Sequence, residues 1–324
     1  MVTRPVRLHI LLLSFLLAAF LIWLSLRDVE FAQFIESVRF AHYGWILPVI
    51  GVTLLSHWIR AYRWQALIIA LPEDSKSRVS TLDLFASVMV GNMVNYVIPR
   101  AGEIARCTHL STRKKLSFSA LLGTVAIERI ADLLVLGFGL LITLVFIREQ
   151  LQSLFELLSL RQLPWVWIAV GCLMIAIIIY IGLRLKFTAS LRNRLSALIT
   201  QFANGIKTVY RTPKRWRLIW TTVIMWLMYG FMAYIPLVMF ELDLSYWDGL
   251  AIMFIGVLGI LVPTPGGLGS FHGITILTLT SVYGIARPDA AAYAIFVHGA
   301  QLILYLAIGG VILLTSAITS RAKV

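Results

Sequence analysis

Three charged residues lie near the middle of a long apolar segment, where charge is costly. Residues 118–147 are mostly apolar, and their only charged residues are Glu128, Arg129 and Asp132 near the centre. A charge at the middle of a bilayer-spanning helix costs about 2.5–3.5 kcal/mol on insertion scales, so such residues normally face a polar cavity or a partner. Glu128 and Asp132 are spaced i, i+4 and share one helix face, with Arg129 on the adjoining face. Two interpretations stay open, an ion-pair knot that joins helices and a functional polar site.

A second polar cluster follows an apolar half-helix. Residues 82–90 are too few to cross about 30 Å of hydrocarbon. Pro99 removes a backbone donor and Gly102 permits an open turn, so the chain can break at this point. Broken backbone in a membrane is tolerated only where protein or water satisfies the freed groups. The polar side chains that could do so are Asn92, Asn95, Arg100 and Glu103, with Arg106 one turn further on. Since charge is costly to leave unpaired in hydrocarbon, we expect Arg100, Glu103 and Arg106 to approach the charged residues of the 118–147 segment.

The composition indicates a polytopic membrane protein. Hydrophobic residues make up 60% of the 324, charged residues only 13%, and the mean hydropathy is +0.88. Residues 9–26 lack a small-residue cleavage site after them, which favours a retained helix over a signal peptide. The two cysteines, Cys107 and Cys172, have no disulfide or metal-ligand spacing. Six spanning segments are predicted, at residues 9–26, 44–62, 118–147, 165–183, 218–240 and 291–316.

The net charge of +13 is distributed as in a membrane protein rather than a nucleic-acid binder. Residues 184–217 carry nine basic side chains and no acidic one, whereas residues 241–248 carry three acidic side chains and no basic one. Because positive residues gather on cytoplasmic loops, we expect both termini and residues 184–217 in the cytoplasm. That assignment, with 59–81 and 99–117 also inside, places 22 of the 28 Lys and Arg there. The 184–217 segment is either an amphipathic membrane-surface helix or a plain loop.

The same assignment predicts two re-entrant hairpins. Basic residues flank residues 82–112 on both sides, so this segment should leave and return to the cytoplasm. Residues 249–284 hold two apolar pieces of half length; one helix plus one re-entrant loop satisfies the topology, as would three full crossings. The predicted fold is an all-α polytopic membrane domain over residues 1–324. It has about six spanning helices and two broken-helix hairpins that meet near mid-membrane.

The break in the later hairpin resembles the break in the first. Residues 97–102 and 262–267 are weakly alike, and the second break carries Pro265, Gly266 and Gly267. Matched Gly/Pro interruptions in opposite orientation point to a transporter site built from discontinuous helices. Two independent irregular turns are the alternative.

The histidines and two further arginines have simpler explanations. Arg60 and Arg63 lie near the end of the second predicted helix, where snorkelling to the head groups is expected. His272 and His298 are expected to be neutral residues bonded in a polar pocket, with proton carriage as the alternative. No nucleotide-binding loop, zinc ligand set or serine nucleophile elbow is visible, so we expect no enzyme activity, no metal and no cofactor.

Three ordered motifs resemble a known family. They are G-N-x-x-N-x-x-x-P-x-x-G-E-x-x-R from Gly91 to Arg106, E-R-x-x-D from Glu128 to Asp132, and P-T-P-G-G-x-G from Pro263 to Gly269. Together they resemble the lysylphosphatidylglycerol synthase transmembrane region, the flippase-like domain at the front of multiple peptide resistance factor proteins. The resemblance implies a prokaryotic cytoplasmic-membrane protein that moves or binds lipids. The chain departs from the family pattern at His272, where many relatives carry Glu. No soluble synthase domain follows within residues 1–324, so lysyl transfer is not expected.

The sequence therefore predicts a lipid translocase or lipid-binding protein, with membrane lipids and no nucleic acid as partners. A phosphate-bearing head group would be neutralised by Arg100, Arg106 or Arg129. One alternative is a proton-coupled transporter of a small anionic solute, and another is a scaffold that recruits partners through residues 184–217. Homo-oligomerisation stays open. The residues expected at the lipid site are Asn92, Asn95, Arg100, Glu103, Arg106, Glu128, Arg129, Asp132, Pro265, Gly266, Gly267, His272 and His298.

Overall fold

A computed structural model describes residues 8–69, 79–149 and 214–321. This part of the chain is helical and contains no strand. The predicted span at 165–183 and nearly all of the basic segment 184–217 lie outside the described residues. The helices are α1 (Leu8–Leu26), α2 (Phe31–Phe40), α3 (Ile46–Ile68), α4 (Thr81–Val97), α5 (Gly102–Lys114), α6 (Phe118–Phe146), α7 (Arg215–Met239), α8 (Tyr246–Ile260), α9 (Ser270–Ser281) and α10 (Arg287–Arg321).

Four helical segments are long and apolar enough to cross a bilayer, which confirms an all-α, multi-pass membrane protein. They are Tyr43–Ile68, Phe118–Phe146, Arg215–Met239 and Arg287–Ser316, and they match four of the predicted spans. The predicted span at 9–26 corresponds to α1. It qualifies as a span only together with α2, from which it is bent by 91°.

The first hairpin consists of α4 and α5, which run antiparallel. Its arms are joined along their length: Asp83 pairs with Lys114 at 2.7 Å, and Ser87 Oγ lies 2.9 Å from His109 Nδ1. Nearer the turn, a Cβ added to Gly91 would lie 2.8 Å from the carbonyl oxygen of Gly102. The residue numbers of these pairs sum to an almost constant value, as an antiparallel register requires. Both ends of the first hairpin therefore lie at the same end of the molecule.

The second hairpin consists of α8 and α9, joined through the 3₁₀ turn Pro265–Gly267. A Cβ added to Gly259 would lie 2.8 Å from the backbone of Phe271, and one added to Gly256 would lie 3.4 Å from Thr275 Oγ1. The register is again antiparallel, but here the arms are held by glycine-mediated close packing. A re-entrant hairpin enters and leaves the membrane on the same side, and for both hairpins this stays a prediction. The antiparallel folding of the two arms that re-entrance requires is present in both.

The two hairpins enter the molecule from opposite ends, and their tips meet. At the base of the first hairpin, Thr81 contacts Gln65, which also accepts a 2.8 Å hydrogen bond from Arg217 at the start of α7. The base of the second hairpin follows the end of α7 and precedes the start of α10. At the tips, Arg100 donates to the carbonyl of Leu261. This contact joins the two breaks, as the pattern of matched interruptions predicts.

Candidate functional site

Glu128 lies at the centre of a buried cluster of charges where α3, α5 and α6 meet. Its side chain is fully buried and accepts from the Arg60 Nε at 2.9 Å. Arg63 Nη2 lies 3.2 Å from Oε1, and Arg106 Nη1 lies 3.2 Å from Oε2. Arginines from α3 and α5 thus converge on one carboxylate of α6. Such an ion cluster is tolerated in a low-dielectric interior only when geometry and hydrogen bonding are good.

Asp132, one turn further along α6, extends the cluster. Arg63 binds it with both terminal nitrogens, at 2.7 and 3.1 Å, in the bidentate geometry that guanidinium groups favour. Arg129 reaches Glu128 at 3.2 Å, Asp132 at 3.3 Å and Glu103 at 3.9 Å. We call the whole set the charged cluster: Arg60, Arg63, Glu103, Arg106, Glu128, Arg129 and Asp132.

The snorkelling assigned to Arg60 and Arg63 is wrong. Both side chains point into the protein, where they are 13% and 2% exposed, and bind the carboxylates of α6. Helix α3 continues to Ile68, so these arginines lie within the helix and not beyond its end. A signal was present in the charge balance, since the carboxylates of Glu103, Glu128 and Asp132 outnumber the guanidinium groups of Arg106 and Arg129 by one.

Arg100 does not join the ion pairs of the charged cluster. It is exposed, has a left-handed backbone (φ 61°) and bonds to Leu261 at the tip of the second hairpin. The expected approach of Arg100 to the charges of α6 is therefore not seen, whereas its role in head-group binding stays a prediction. Its observed contact joins the two hairpins.

Two asparagines of the first break have separate structural partners. Asn95 Oδ1 accepts from the backbone N–H of Gly102 at 2.7 Å and satisfies one of the free donors at the start of α5. Asn92 lies 3.4 Å from His57 Nε2, and the same nitrogen lies 2.7 Å from the Tyr305 hydroxyl. Since His57 precedes Arg60 by one turn of α3, this polar contact borders the charged cluster.

The second break packs against the tip of the first. Gly266 has φ 60°, and a Cβ placed there would lie 2.6 Å from the Tyr96 ring. Its carbonyl accepts from His298 Nε2 at 3.1 Å. Pro265 and Gly267 are buried, and the His272 and His298 rings lie 4.8 Å apart between centroids. The structure thus brings the second break next to Tyr96, while the charged cluster lies deeper along the first hairpin.

The charged cluster carries one excess positive charge when all its groups are ionised, with four arginines against three carboxylates. Arg106, only 3% exposed, stacks over Trp64 at 4.7 Å, and its Nε and Nη2 have no hydrogen-bond partner in the described residues. Arg129 Nε is likewise unpartnered there. Free guanidinium donors beside an excess positive charge suit an anion. Among the described residues, no group of three or more His, Cys, Asp or Glu is placed to hold a metal ion.

The charged cluster reaches the surface along one edge only. Arg129 and Glu103 are 39% and 30% exposed, whereas the other five side chains are at most 14% exposed. Exposed apolar side chains flank this edge: Ile104 on α5 is 56% exposed, and Leu133, one turn beyond Arg129 on α6, is 58% exposed. Charged and apolar surface are therefore adjacent at the edge between α5 and α6.

Comparison with known proteins gives one clear result. The profile of the family described as Lysylphosphatidylglycerol synthase TM region matches residues 11–309, which include all three motifs and every described helix of the two hairpins. A comparison with curated proteins finds no significant match. Because the family profile spans nearly the whole chain, the protein belongs to the lysylphosphatidylglycerol synthase transmembrane region family.

Proposed function

We propose that this membrane protein binds the phosphate group of a membrane lipid at the charged cluster and carries the lipid across the bilayer. The observation that carries the proposal is the edge between α5 and α6. There the partly exposed Arg129 and Glu103 are accompanied on their own helices by exposed apolar side chains, Leu133 on α6 and Ile104 on α5. A lipid needs this combination, since its head group requires charge and its acyl chains require apolar surface. A soluble anion needs only the charge.

The chemistry of binding follows from the charge balance. A phosphodiester carries one negative charge, which matches the excess of one arginine. Arg129 would meet the phosphate first, and Arg106 offers two further unpartnered donors within the cluster. Glu103, Glu128 and Asp132 would keep the arginines in place when no lipid is bound. No bond is made or broken in this function, so we propose a transporter and not an enzyme.

Movement across the membrane would require the two hairpin tips to part. They meet at Arg100 with Leu261 and at Tyr96 with Gly266, and they enter from opposite ends of the molecule. Separation of these contacts would connect the charged cluster with the opposite end. This is the arrangement expected of transporters built from discontinuous helices.

Reconstituted protein tests the proposal. Vesicles of phosphatidylcholine and phosphatidylglycerol would contain the full chain and a trace of fluorescent phospholipid, and chemical quenching would report the fraction in the outer leaflet. We expect the protein to accelerate lipid exchange and Arg129→Gln to slow it at least tenfold. The control is Arg27→Gln, which changes an exposed arginine just after the end of α1 and should behave like the wild type. Equal rates for Arg129→Gln and wild type would contradict the proposal.

Mass spectrometry of the purified protein separates the alternatives. Retained phospholipid that is lost in Arg129→Gln supports lipid binding. Saturable uptake of an anionic solute without lipid exchange would support the secondary transporter. Loss of partner binding after neutralisation of residues 184–217, without either transport activity, would support the scaffold.

We further propose that the protein lies in a prokaryotic cytoplasmic membrane with both termini inside. The exposed Lys214 marks the basic end, and Glu241, with a side chain 73% exposed, marks the opposite end. In intact cells, an impermeant thiol reagent should label Glu241→Cys and leave Lys214→Cys unlabelled. The reverse pattern would overturn this orientation.

A further inference from the structure

Two buried histidines hold the second break from both sides. His298 Nε2 lies 3.1 Å from the carbonyl oxygen of Gly266, and the backbone N–H of Gly269 donates to His272 Nδ1 at 3.3 Å. Both histidines are 5% exposed. Between these two bonds the chain passes through left-handed glycines at positions 266, 267 and 269. We call His272 and His298 the histidine pair.

The hydrogen bonds determine where each imidazole can accept a proton. A carbonyl only accepts, so His298 must carry its hydrogen on Nε2; a backbone N–H only donates, so His272 Nδ1 must be bare. A proton added to His298 enters at Nδ1 and leaves the Gly266 bond intact. A proton added to His272 would enter at Nδ1, where it would face the Gly269 N–H and break that bond.

The surroundings reinforce this difference. His272 lies in the first turn of α9, where the helix dipole disfavours a positive charge. His298 has two aromatic neighbours, with the centroid of Tyr96 at 5.1 Å and that of Phe271 at 5.9 Å, whereas His272 is near Phe271, which is almost perpendicular to it at 6.0 Å. Aromatic faces within about 6 Å stabilise a cation. The site thus accepts a positive charge on one member of the pair only.

No carboxylate neutralises a second charge. The titratable groups facing the pair are Tyr96 from α4 and, further along α10, Tyr305, which bonds to His57 of α3. From α1 the neighbour is the neutral Ser25, whose hydroxyl reaches the Gly269 carbonyl, and from α8 the apolar Ile260 lies against Gly267. In the described part of the chain no Asp, Glu, Lys or Arg pairs with either imidazole. Two imidazolium rings 4.8 Å apart would therefore repel each other without compensation.

We propose that the histidine pair is a one-proton site, with the proton on His298, and that proton binding tightens the contact between the two hairpins. A proton from water adds to His298 Nδ1. The Nε2–H bond to the Gly266 carbonyl then becomes charge-assisted, and such bonds are shorter and stronger than neutral ones. Gly266 is fitted against Tyr96, so the tip of the second hairpin is held more firmly on the first. His272 stays neutral and keeps α9 capped.

This inference goes beyond the proposed lipid transport and applies to any substrate that passes between the hairpins. It makes proton occupancy a control on their separation: the proton-bound state holds the tips together, and the proton-free state lets them part. A proton can thus regulate or drive the movement of the hairpins.

Nitrogen NMR of the full chain in lipid nanodiscs tests the site directly. With ¹⁵N-labelled histidine, the ring signals of the six histidines are assigned by single His→Gln variants. We expect the signal lost in His298→Gln to convert to imidazolium on acidification. The signal lost in His272→Gln should remain the neutral Nε2–H tautomer over the same range. Titration of both rings, of His272 alone or of neither would overturn the proposal.

A distance measurement tests the mechanical consequence. Spin labels at Val97 and Leu261, whose side chains are 50% and 54% exposed, report on the two tips in a chain with Cys107 and Cys172 replaced by alanine. Acidification should narrow the distance distribution in the wild type and leave it unchanged in His298→Gln. The control is His42→Gln, which changes an exposed histidine beside Glu241 and should keep the response to acidification. If acidification narrowed the distance distribution of His298→Gln as much as that of the wild type, the proposal would be contradicted.

Lipid exchange by the same variants, measured in vesicles as above, keeps the two proposals apart. A titrating His298 in a protein that moves no lipid would reject the proposed function and retain the proton site. Lipid exchange with a distance response that ignores His298 would do the opposite.

Discussion

The two hairpins have the same shape but are stabilised by different interactions. The first is held by charge: Asp83 pairs with Lys114 between its arms, and Arg106 of its second arm pairs with Glu128 of the neighbouring helix α6. The second has no ion pair between its arms among the described residues, and it relies on glycines that let Phe271 approach α8. A similar backbone path therefore does not imply a similar role. The first hairpin presents charge to a ligand, whereas the second presents backbone groups and histidines.

The breaks differ in the same way. At the first, Arg100 adopts a left-handed backbone despite its side chain and uses that side chain to reach the second hairpin. At the second, the left-handed positions are all glycine, so the turn itself can approach Tyr96. The first tip therefore makes the contact with side chains, and the second tip makes it with its backbone.

The largest expected effect comes from removing the central carboxylate of the charged cluster. Glu128→Ala leaves Arg60, Arg63 and Arg106 buried without their shared partner. Breaking a buried ion pair in this way typically costs about 3–5 kcal/mol. We therefore expect a strong loss of folded protein, measured by denaturant unfolding in detergent micelles. Glu149→Ala, which changes a carboxylate with an 80% exposed side chain at the far end of α6, should unfold like the wild type.

If Glu128→Ala and Glu149→Ala unfold alike, charge does not stabilise the first hairpin. The distinction between the two hairpins would then fail.

The second expected effect tests the tip of the second hairpin. Gly266 and Gly284 both have positive φ, at 60° and 68°, but only Gly266 has a neighbour, Tyr96, within reach of an added Cβ. A left-handed backbone costs an L-residue roughly 1–2 kcal/mol, so Gly284→Ala should lose about that much. Gly266→Ala should lose more in the same unfolding assay, and the bulkier Gly266→Val should stop lipid movement.

Removing the ring supplies the control for this prediction. Tyr96→Ala should recover part of the stability lost in Gly266→Ala and none of that lost in Gly284→Ala. If the two alanine variants lose the same stability, contact between the tips adds nothing beyond backbone strain.

The sequence predicts the helical class, the two breaks and the meeting of Arg106 with Glu128, because each depends on local hydropathy or on the need to pair buried charge. It does not predict that Arg60 and Arg63 pair with the carboxylates of α6, since a charged residue near a helix end is equally compatible with lipid head groups and with a buried partner. Their partner lies 68 or 69 residues away in the chain. It also places Arg100 with the wrong group, because the direction of a side chain at a left-handed turn is not encoded in local spacing.

The third expected effect compares the two arginines that the sequence misplaced. Arg63 makes a bidentate bond to Asp132 and also contacts Glu128, whereas Arg60 binds Glu128 through one nitrogen. Lysine keeps the charge but cannot reproduce a bidentate fork. Hydrogen bonds to charged groups contribute about 1.5–3 kcal/mol, so Arg63→Lys should lose stability in that range and Arg60→Lys less. Equal losses measured by denaturant unfolding would show that charge alone, without fork geometry, holds α3 to α6.

The smallest expected effect concerns how each hairpin satisfies a helix start. In the first, Asn95 Oδ1 accepts from the buried Gly102 N–H; in the second, the exposed Ser245 accepts from Asp248 N–H at the start of α8. Loss of a helix cap typically costs about 1 kcal/mol. Water can replace the Ser245 hydroxyl but reaches buried Gly102 poorly, so Asn95→Ala should lose about 1 kcal/mol and Ser245→Ala only a few tenths. Hydrogen exchange at the Gly102 amide should rise in Asn95→Ala while exchange at Asp248 changes little. If Ser245→Ala proves the more damaging, the break of the first hairpin is hydrated rather than closed by its own side chain.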